Sequence, residues 1–217
     1  MWYKVKKIYQ WSNLVRPKWK PWANTILYLP LKENSNDLSW NWNNGTATNI
    51  TYSWNKAVFN SSGTSLINLP ITNNTFTLNM IAQMTSASGY QLLYRQAKYS
   101  SWTWWQDDSG CYLYGYTSIQ LRMSQWNTKL TWITADTNEH LYSFVVSANS
   151  MKFYIDGVLK TTYNASVGSV SWATFTLGNR YTSSNEWLRW TMREVIVEST
   201  LRTDAEILNL AKQFWFA

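Results

Sequence analysis

The residue types and spacings best suited to chemistry lie between positions 111 and 122. In Cys111-Tyr112-Leu113-Tyr114-Gly115-Tyr116 the period-two alternation of an extended strand puts Tyr112, Tyr114 and Tyr116 on one face. After a turn, Gln120 and Arg122 of the next strand fall on the same side. Tyrosine rings stack on the C–H faces of pyranoses while an amide and a guanidinium bind hydroxyls, so the five residues form a candidate sugar platform. The same alternation also suits a bare pleated surface on which tyrosines pair across strands, and both readings stand. Cys111 joins Leu113 on the opposite face, the place of a buried, inert thiol.

Other chemistry finds little purchase. There is no Gly-x-Ser-x-Gly, phosphate-binding loop or His-Glu-x-x-His. One cysteine and one histidine exclude a disulfide framework, a cysteine-based zinc site and a multi-histidine centre. The twelve acids are scattered: Asp107 and Asp108 are adjacent, so they diverge on a strand, and Glu194 and Glu198 are four apart. His140 opens an apolar run and reads as a packed or surface histidine. No catalytic residue is assigned.

The elements that must position these residues are short alternating runs separated by Asn, Ser, Thr, Asp and Gly. Strands are expected at 25–31, 56–60, 65–69, 75–84, 90–97, 111–116, 118–123, 128–133, 140–147, 151–156, 158–163, 173–178 and 189–198. In 75–84, Phe76, Leu78, Met80 and Ala82 share a dry face and Thr75, Thr77, Asn79 and Gln83 a wet one. Asp156-Gly157 marks a tight hairpin turn. Thr203-x-x-Glu206 is a capping box, and Ile207, Leu208, Leu210 and Ala211 follow at helical spacing, so one helix is expected at about 204–213. The expected architecture is all-β: a two-sheet antiparallel jelly-roll sandwich closed by one short C-terminal helix.

Charge divides the chain. Lys4, Lys6, Lys7, Arg16, Lys18 and Lys20 stand in residues 1–22 with no acid, whereas residues 23–217 hold 13 basic and 12 acidic groups. Residues 1–22 therefore read as a basic arm ending in a two-proline linker, and 23–217 as one sandwich domain. Such an arm can touch an acidic partner, nucleic acid or an anionic surface, or serve as an assembly tail; the assembly tail is preferred over nucleic acid. No apolar run approaches the ~18–20 residues of a membrane span, and no secretory signal is expected, because Ile8-Tyr9-Gln10-Trp11-Ser12-Asn13 is too polar for its apolar region.

Three stretches resemble the concanavalin A-like lectin/glucanase superfamily, in its laminin-G-like branch. They are Ile26–Leu31 with Asn36–Thr46, Glu139–Val146 with Met151–Gly157, and Leu188–Val197 with Leu201–Leu210. The likeness covers about 25–214 and implies the sandwich described above. Enzymes of that superfamily carry a strand motif Glu-x-Asp-x-x-Glu, which is absent here, so the chain is expected not to be an enzyme. Members often bind calcium in loops, which makes Asp37, Asp107, Asp108 and Asp136 weak Ca2+ candidates, although no ligand spacing is present and Asp37 also suits a turn.

The departures from the family pattern concern tryptophan. The chain has 16 Trp against 8 Gly. Trp40, Trp42 and Trp190 occupy places where the family has glycine, and Trp54, Trp102, Trp104, Trp105 and Trp126 lie in glycine-like loop contexts. Glycine at all 16 would bring the total to 24 of 217, about 11% against the usual ~7%. UGA is read as tryptophan in one variant genetic code and as glycine in another, used by some uncultured bacteria and hence by their phages. A gene of the second kind translated by the first rule gives this inversion. The competing reading is a chain that is truly rich in tryptophan, with bulky residues strained at positions needing positive φ.

The functional expectation is a non-catalytic recognition module for a glycan or another surface ligand, on an extracellular or virion surface. A structural phage virion, decoration or tail protein anchored, or made homo-oligomeric, by residues 1–22 is the second reading, and a glycoside hydrolase the third.

Overall fold

The structure, a computed structural model, describes residues 22–59, 65–85, 91–97, 108–114, 118–124, 127–134, 136–165, 174–178 and 190–217. Fifteen strands and one helix are described. They are β1 (Thr25–Leu29), β2 (Thr46–Thr48), β3 (Ile50–Ser53), β4 (Lys56–Phe59), β5 (Leu66–Leu69), β6 (Phe76–Met84), β7 (Gln91–Ala97), β8 (Asp108–Tyr114), β9 (Ser118–Ser124), β10 (Asn127–Thr134), β11 (Glu139–Ser147), β12 (Ser150–Ile155), β13 (Val158–Asn164), β14 (Thr174–Gly178), β15 (Trp190–Glu198) and α1 (Asp204–Gln213).

All pairings are antiparallel and fall into two sheets. The first runs β13-β12-β11-β6-β15-β4-β3, with β1 also paired to β15; the second runs β10-β9-β8-β7-β14-β5-β2. Sequence neighbours pair where a tight turn permits, as at Asp156-Gly157. Both residues there have positive φ, 53° and 79°, the backbone of a two-residue hairpin turn. Consecutive strands that cross between sheets, such as β5 and β6, close the jelly-roll β-sandwich.

The core forms where the two inner faces meet. Phe76, Leu78, Met80, Phe144, Phe153, Tyr94, Phe175 and Leu121 are all fully buried. Their rings interlock, with Tyr94 edge-on to Phe144 at 4.8 Å and stacked with Phe175 at 5.5 Å, geometries that add to the burial of apolar area.

The outer face of the first sheet departs from the expected wet surface. Thr77, Asn79 and Ile81 on β6 are buried together with Leu141 and Val145 on β11. The reason is α1, whose Ile207 packs on Val145 and Tyr154 and whose Leu210 and Ala211 pack on Ile81 and Leu141. The helix begins as its sequence requires: Thr203 accepts from the Glu206 N–H, and the Glu206 carboxylate accepts from the Thr203 N–H at 2.8 Å. Lys152 and Tyr154 on β12 then reach Asp204 at 2.8 and 2.7 Å, tying the first turn to the sheet. Alternation alone reports which residues share a face, not what covers it.

The thirteen expected strands and the helix are all present. β2 and β3, only 3 and 4 residues long, carry too little alternation to stand out. The arm residues Lys4, Lys6, Lys7, Arg16, Lys18 and Lys20 lie outside the described residues. Trp22, the last residue of the expected arm, packs against the Leu210 and Ala211 cluster. No described helix is long and apolar enough to cross a membrane.

Candidate functional site

The backbone register of the second sheet bears on the positions of the expected platform. Within β8 and β9 the register pairs Cys111 with Leu121 and Leu113 with Ile119, and both Ile119 and Leu121 are buried. The alternate pairs, Tyr112 with Gln120 and Tyr114 with Ser118, therefore occupy the opposite, outward face, as does Arg122 opposite Gly110. Backbone register thus puts positions 112, 114, 120 and 122 at alternate places to 119 and 121; Tyr116 lies outside the described residues.

The register also extends the platform where local sequence could not. One cross-strand row runs Thr46, Asn68, Thr176, Arg95, Gly110, Arg122, Thr128, one position from each of the seven strands. Neighbouring strands lie about 4.8 Å apart, so positions 95 and 122 stand roughly 10 Å from each other with a glycine between them. Within the row, the Thr176 hydroxyl donates to Asn68 Oδ1 at 3.1 Å. Arg95 was missed because its relation to Arg122 arises from strand order, which separates them by 27 residues of chain. Its alternation with buried Tyr94 was the only local signal.

A second polar cluster surrounds His140 at the mouth of the first sheet. Its Nδ1 lies 2.6 Å from Asp156 Oδ2 and its Nε2 3.0 Å from Asp136 Oδ1. Asp156 Oδ1 accepts from the Leu141 N–H at 2.9 Å. The Asp156 hydrogen bond holds the imidazole above its ordinary value against the opposing effect of burial, and Asp136 adds to the rise. For Asp136 burial raises the carboxyl, but the Asn138 N–H and His140 outweigh it and hold it low. An imidazole clamped by two carboxylates pins the Asp156-Gly157 turn to the start of β11. The signal for it was present as Asp136 four residues before His140.

Of the calcium candidates, Asp37 and Asp136 are engaged with other partners. Asp37 Oδ1 accepts from the Tyr28 and Ser39 N–H groups at 2.9 and 2.8 Å, and Oδ2 from the Asn43 N–H and the Ser39 hydroxyl at 2.9 and 2.8 Å. Both oxygens are thereby spent on folding the 35–45 loop, the turn role weighed for it. Asp136 serves His140, Asp108 lies in β8 on the second sheet, and Asp107 is outside the described residues. Among the described residues no group of three or more His, Cys, Asp or Glu is placed to hold a metal ion.

The same loop exposes the tryptophan anomaly. Trp40, Trp42, Trp54 and Trp215 have φ of 72°, 60°, 54° and 68°. All four are at least two-thirds exposed. Trp190 differs: it is 3% exposed and meets Tyr142 edge-on at 5.9 Å.

No protein-family model and no curated protein matches the chain. Solved structures do. Trypanosoma rangeli sialidase in complex with sialic acid superposes with a TM-score of 0.74 at 16% identity, over 91% of this chain and 34% of that one. Domain 4 of a GH43 extracellular arabinanase from Geobacillus stearothermophilus, in complex with arabinotriose, gives 0.70 at 18% identity, over 87% and 98%. The binding domain of Botulinum neurotoxin DC in complex with rat synaptotagmin II gives 0.63 at 15%, over 87% and 51%. The chain thus spans about a third of the sialidase's length. At these identities the likeness establishes the jelly-roll fold.

The expectation of a non-enzyme is corrected by these matches, because the structures that share the fold include a sialidase and part of an arabinanase. The missing strand motif was a poor guide. Glycosidases need not draw their reacting groups from one strand, and sialidases use a tyrosine nucleophile instead of the usual carboxylate.

Proposed function

We propose that the chain is a glycan-binding module of the laminin-G-like branch, with the outer face of the second sheet as its platform. What supports this reading is the β8–β9 register, in which positions 112, 114, 120 and 122 alternate with buried Ile119 and Leu121. Sugars in complex with two of the structurally similar proteins support it. Tyrosine faces would take the apolar side of a sugar ring, and Gln120, Arg122 and Arg95 its hydroxyls or acidic groups. A glycan array tests it, with Tyr114→Ala and Arg122→Ala as controls. Binding of at least one glycan, weakened about tenfold or more by either substitution, is expected; silence across a broad panel sinks the reading. An extracellular or virion surface, with residues 1–22 as anchor, belongs to the same proposal. Deleting those residues should abolish assembly and leave the sandwich folded.

A specific observation favours a second proposal about the residues themselves: the native chain carries glycine at 40, 42, 54 and 215, through UGA read as glycine. What supports it is that these four combine left-handed backbone with high exposure. A non-glycine residue pays about 1–2 kcal/mol there, and an exposed indole gains nothing in return. Trp54-Asn55 forms the turn between β3 and β4 with φ of 54° and 59°, a geometry that favours Asn and Gly. Intact-mass measurement of the protein from its native source decides it; indole at 40 and 42 would end the idea.

A further inference from the structure

The cavity between α1, the end of β15 and the residues leading into β1 is separate from the sheet face. It is a half-open cleft of about 400 Å³, within the range of small-molecule sites. One wall is a helical stripe of Glu206, Asn209, Leu210 and Gln213, spaced so that all four share one side of α1. The opposite wall is Trp22, Asn24, Glu198, Thr200 and Arg202.

The inner wall is built rigidly. Glu198 is fully buried, and its two oxygens accept from Arg202 Nε and Nη2, the latter at 2.6 Å. Burial pushes the Glu198 carboxyl up and Arg202 opposes it. The Arg202 guanidinium in turn lies 3.5 Å over the Trp22 ring, and its backbone N–H donates to Thr77 Oγ1 at 3.0 Å. A buried ion pair adds little net stability, so packing alone does not call for one at this position. Here it fixes a guanidinium whose Nη1 remains after Nε and Nη2 are used.

Both walls offer amides. Among the described residues, the side chains of Asn24, Asn209 and Gln213 have no hydrogen-bond partner. Each amide both donates and accepts, the pattern that matches hydroxyl groups. Charge sets the class of ligand further. Arg202 is neutralised by Glu198 and Glu206 adds a second carboxylate, so the lining disfavours anions.

We propose that this cavity is a second binding site, taking one neutral, hydroxyl-rich sugar unit. The hydroxyls would bridge Asn209 and Gln213 on the helix to Arg202 and Glu206, with Leu210 against the apolar edge of the ring. The site is independent of the sheet-face platform.

The test is saturation-transfer NMR on the full chain with arabinose, galactose, glucose and mannose, and with sialyllactose as the acidic comparator. At least one neutral sugar should give a signal that falls tenfold or more in the Asn209→Ala/Gln213→Ala double variant. The same signal should persist in Tyr114→Ala/Arg122→Ala. Asn209 and Gln213 are exposed, so the double variant should keep the wild-type circular dichroism and melting profile. Absence of signal from all four neutral sugars, or a signal unchanged in the double variant, overturns the proposal. A signal lost only in Tyr114→Ala/Arg122→Ala also overturns it while leaving the sheet-face reading intact, whereas one lost only in Asn209→Ala/Gln213→Ala supports the cavity site and leaves the sheet-face reading to the glycan array.

Discussion

The two sheets share one core but differ on their outer faces. The first sheet hides its outer face beneath α1, so Ile81, Leu141, Val145 and Tyr154 are buried, and so are Thr77 and Asn79, which the alternation in 75–84 assigned to a wet face. The second sheet has no described element packed over its outer face, and there the row Thr46, Asn68, Thr176, Arg95, Gly110, Arg122, Thr128 crosses it from edge to edge. Burial on both sides makes β6, β11 and β15 the structural spine. A polar outer face on the other sheet is free to vary with the ligand, because changes there leave the core untouched.

The contrast breaks most clearly in stability measurements. Leu210→Ala and Ile207→Ala empty the contact between α1 and the first sheet and should each cost about 2–5 kcal/mol in denaturant unfolding. Trp190→Gly removes a buried ring stacked edge-on to Tyr142 and should cost about 3–5 kcal/mol, the range for large-to-small aromatic truncation. A loss under about 1 kcal/mol at Leu210 would mean that the helix does not seal the outer face, and the comparison between sheets would fail.

The His140 clamp predicts a smaller effect with a direction in pH. The folded imidazole is raised above its unfolded value of about 6.5. Its charge-dependent contribution is therefore complete below that pH and lost as pH rises through the higher folded value. Since the ring is partly exposed, His140→Ala should cost about 1 kcal/mol near pH 6, after allowance for screening. The cost should shrink toward pH 9. Melting curves of both proteins across that range check it, and a difference that grows with pH would contradict the clamp.

Opposite in sign are the loop tryptophans. Trp40→Gly and Trp42→Gly relieve left-handed strain of about 1–2 kcal/mol against the extra backbone entropy of glycine, about 0.5–1 kcal/mol. A net gain of roughly 0.5–1 kcal/mol each is expected. Loss of stability at both positions would show that the indoles make contacts that matter.

Sequence made the sandwich legible because its signals are local: alternation in 76–84, Asp156-Gly157 for a hairpin, Thr203 to Glu206 for a helix start. Position 37 was readable as a turn acid from its Asn- and Ser-rich loop. What could not be read depends on which strands become neighbours. Arg95 and Arg122 share a row only because β7, β8 and β9 lie side by side, and the buried side of β6 needs a helix 130 residues later to cover it. The cavity below Arg202 is of the same kind, since its walls come from both ends of the domain. Motif absence misled for a related reason: a search along one strand is blind to groups that folding assembles from several.

The smallest expected change in stability is the most informative for function. If the proposed platform is right, Tyr114→Ala and Arg122→Ala alter an outer face with no described element over it, so each should stay within about 0.5 kcal/mol of wild type, while glycan binding falls tenfold or more. Stability and binding would then separate on the second sheet and remain coupled on the first, where the same truncations remove core contacts. Arg95→Ala sharpens this further. If the cross-strand row acts as one surface, pairing Arg95→Ala with Arg122→Ala should give a non-additive loss of affinity, because both would hold the same ligand. Strict additivity would instead assign the two arginines to separate contacts and confine the platform to β8 and β9.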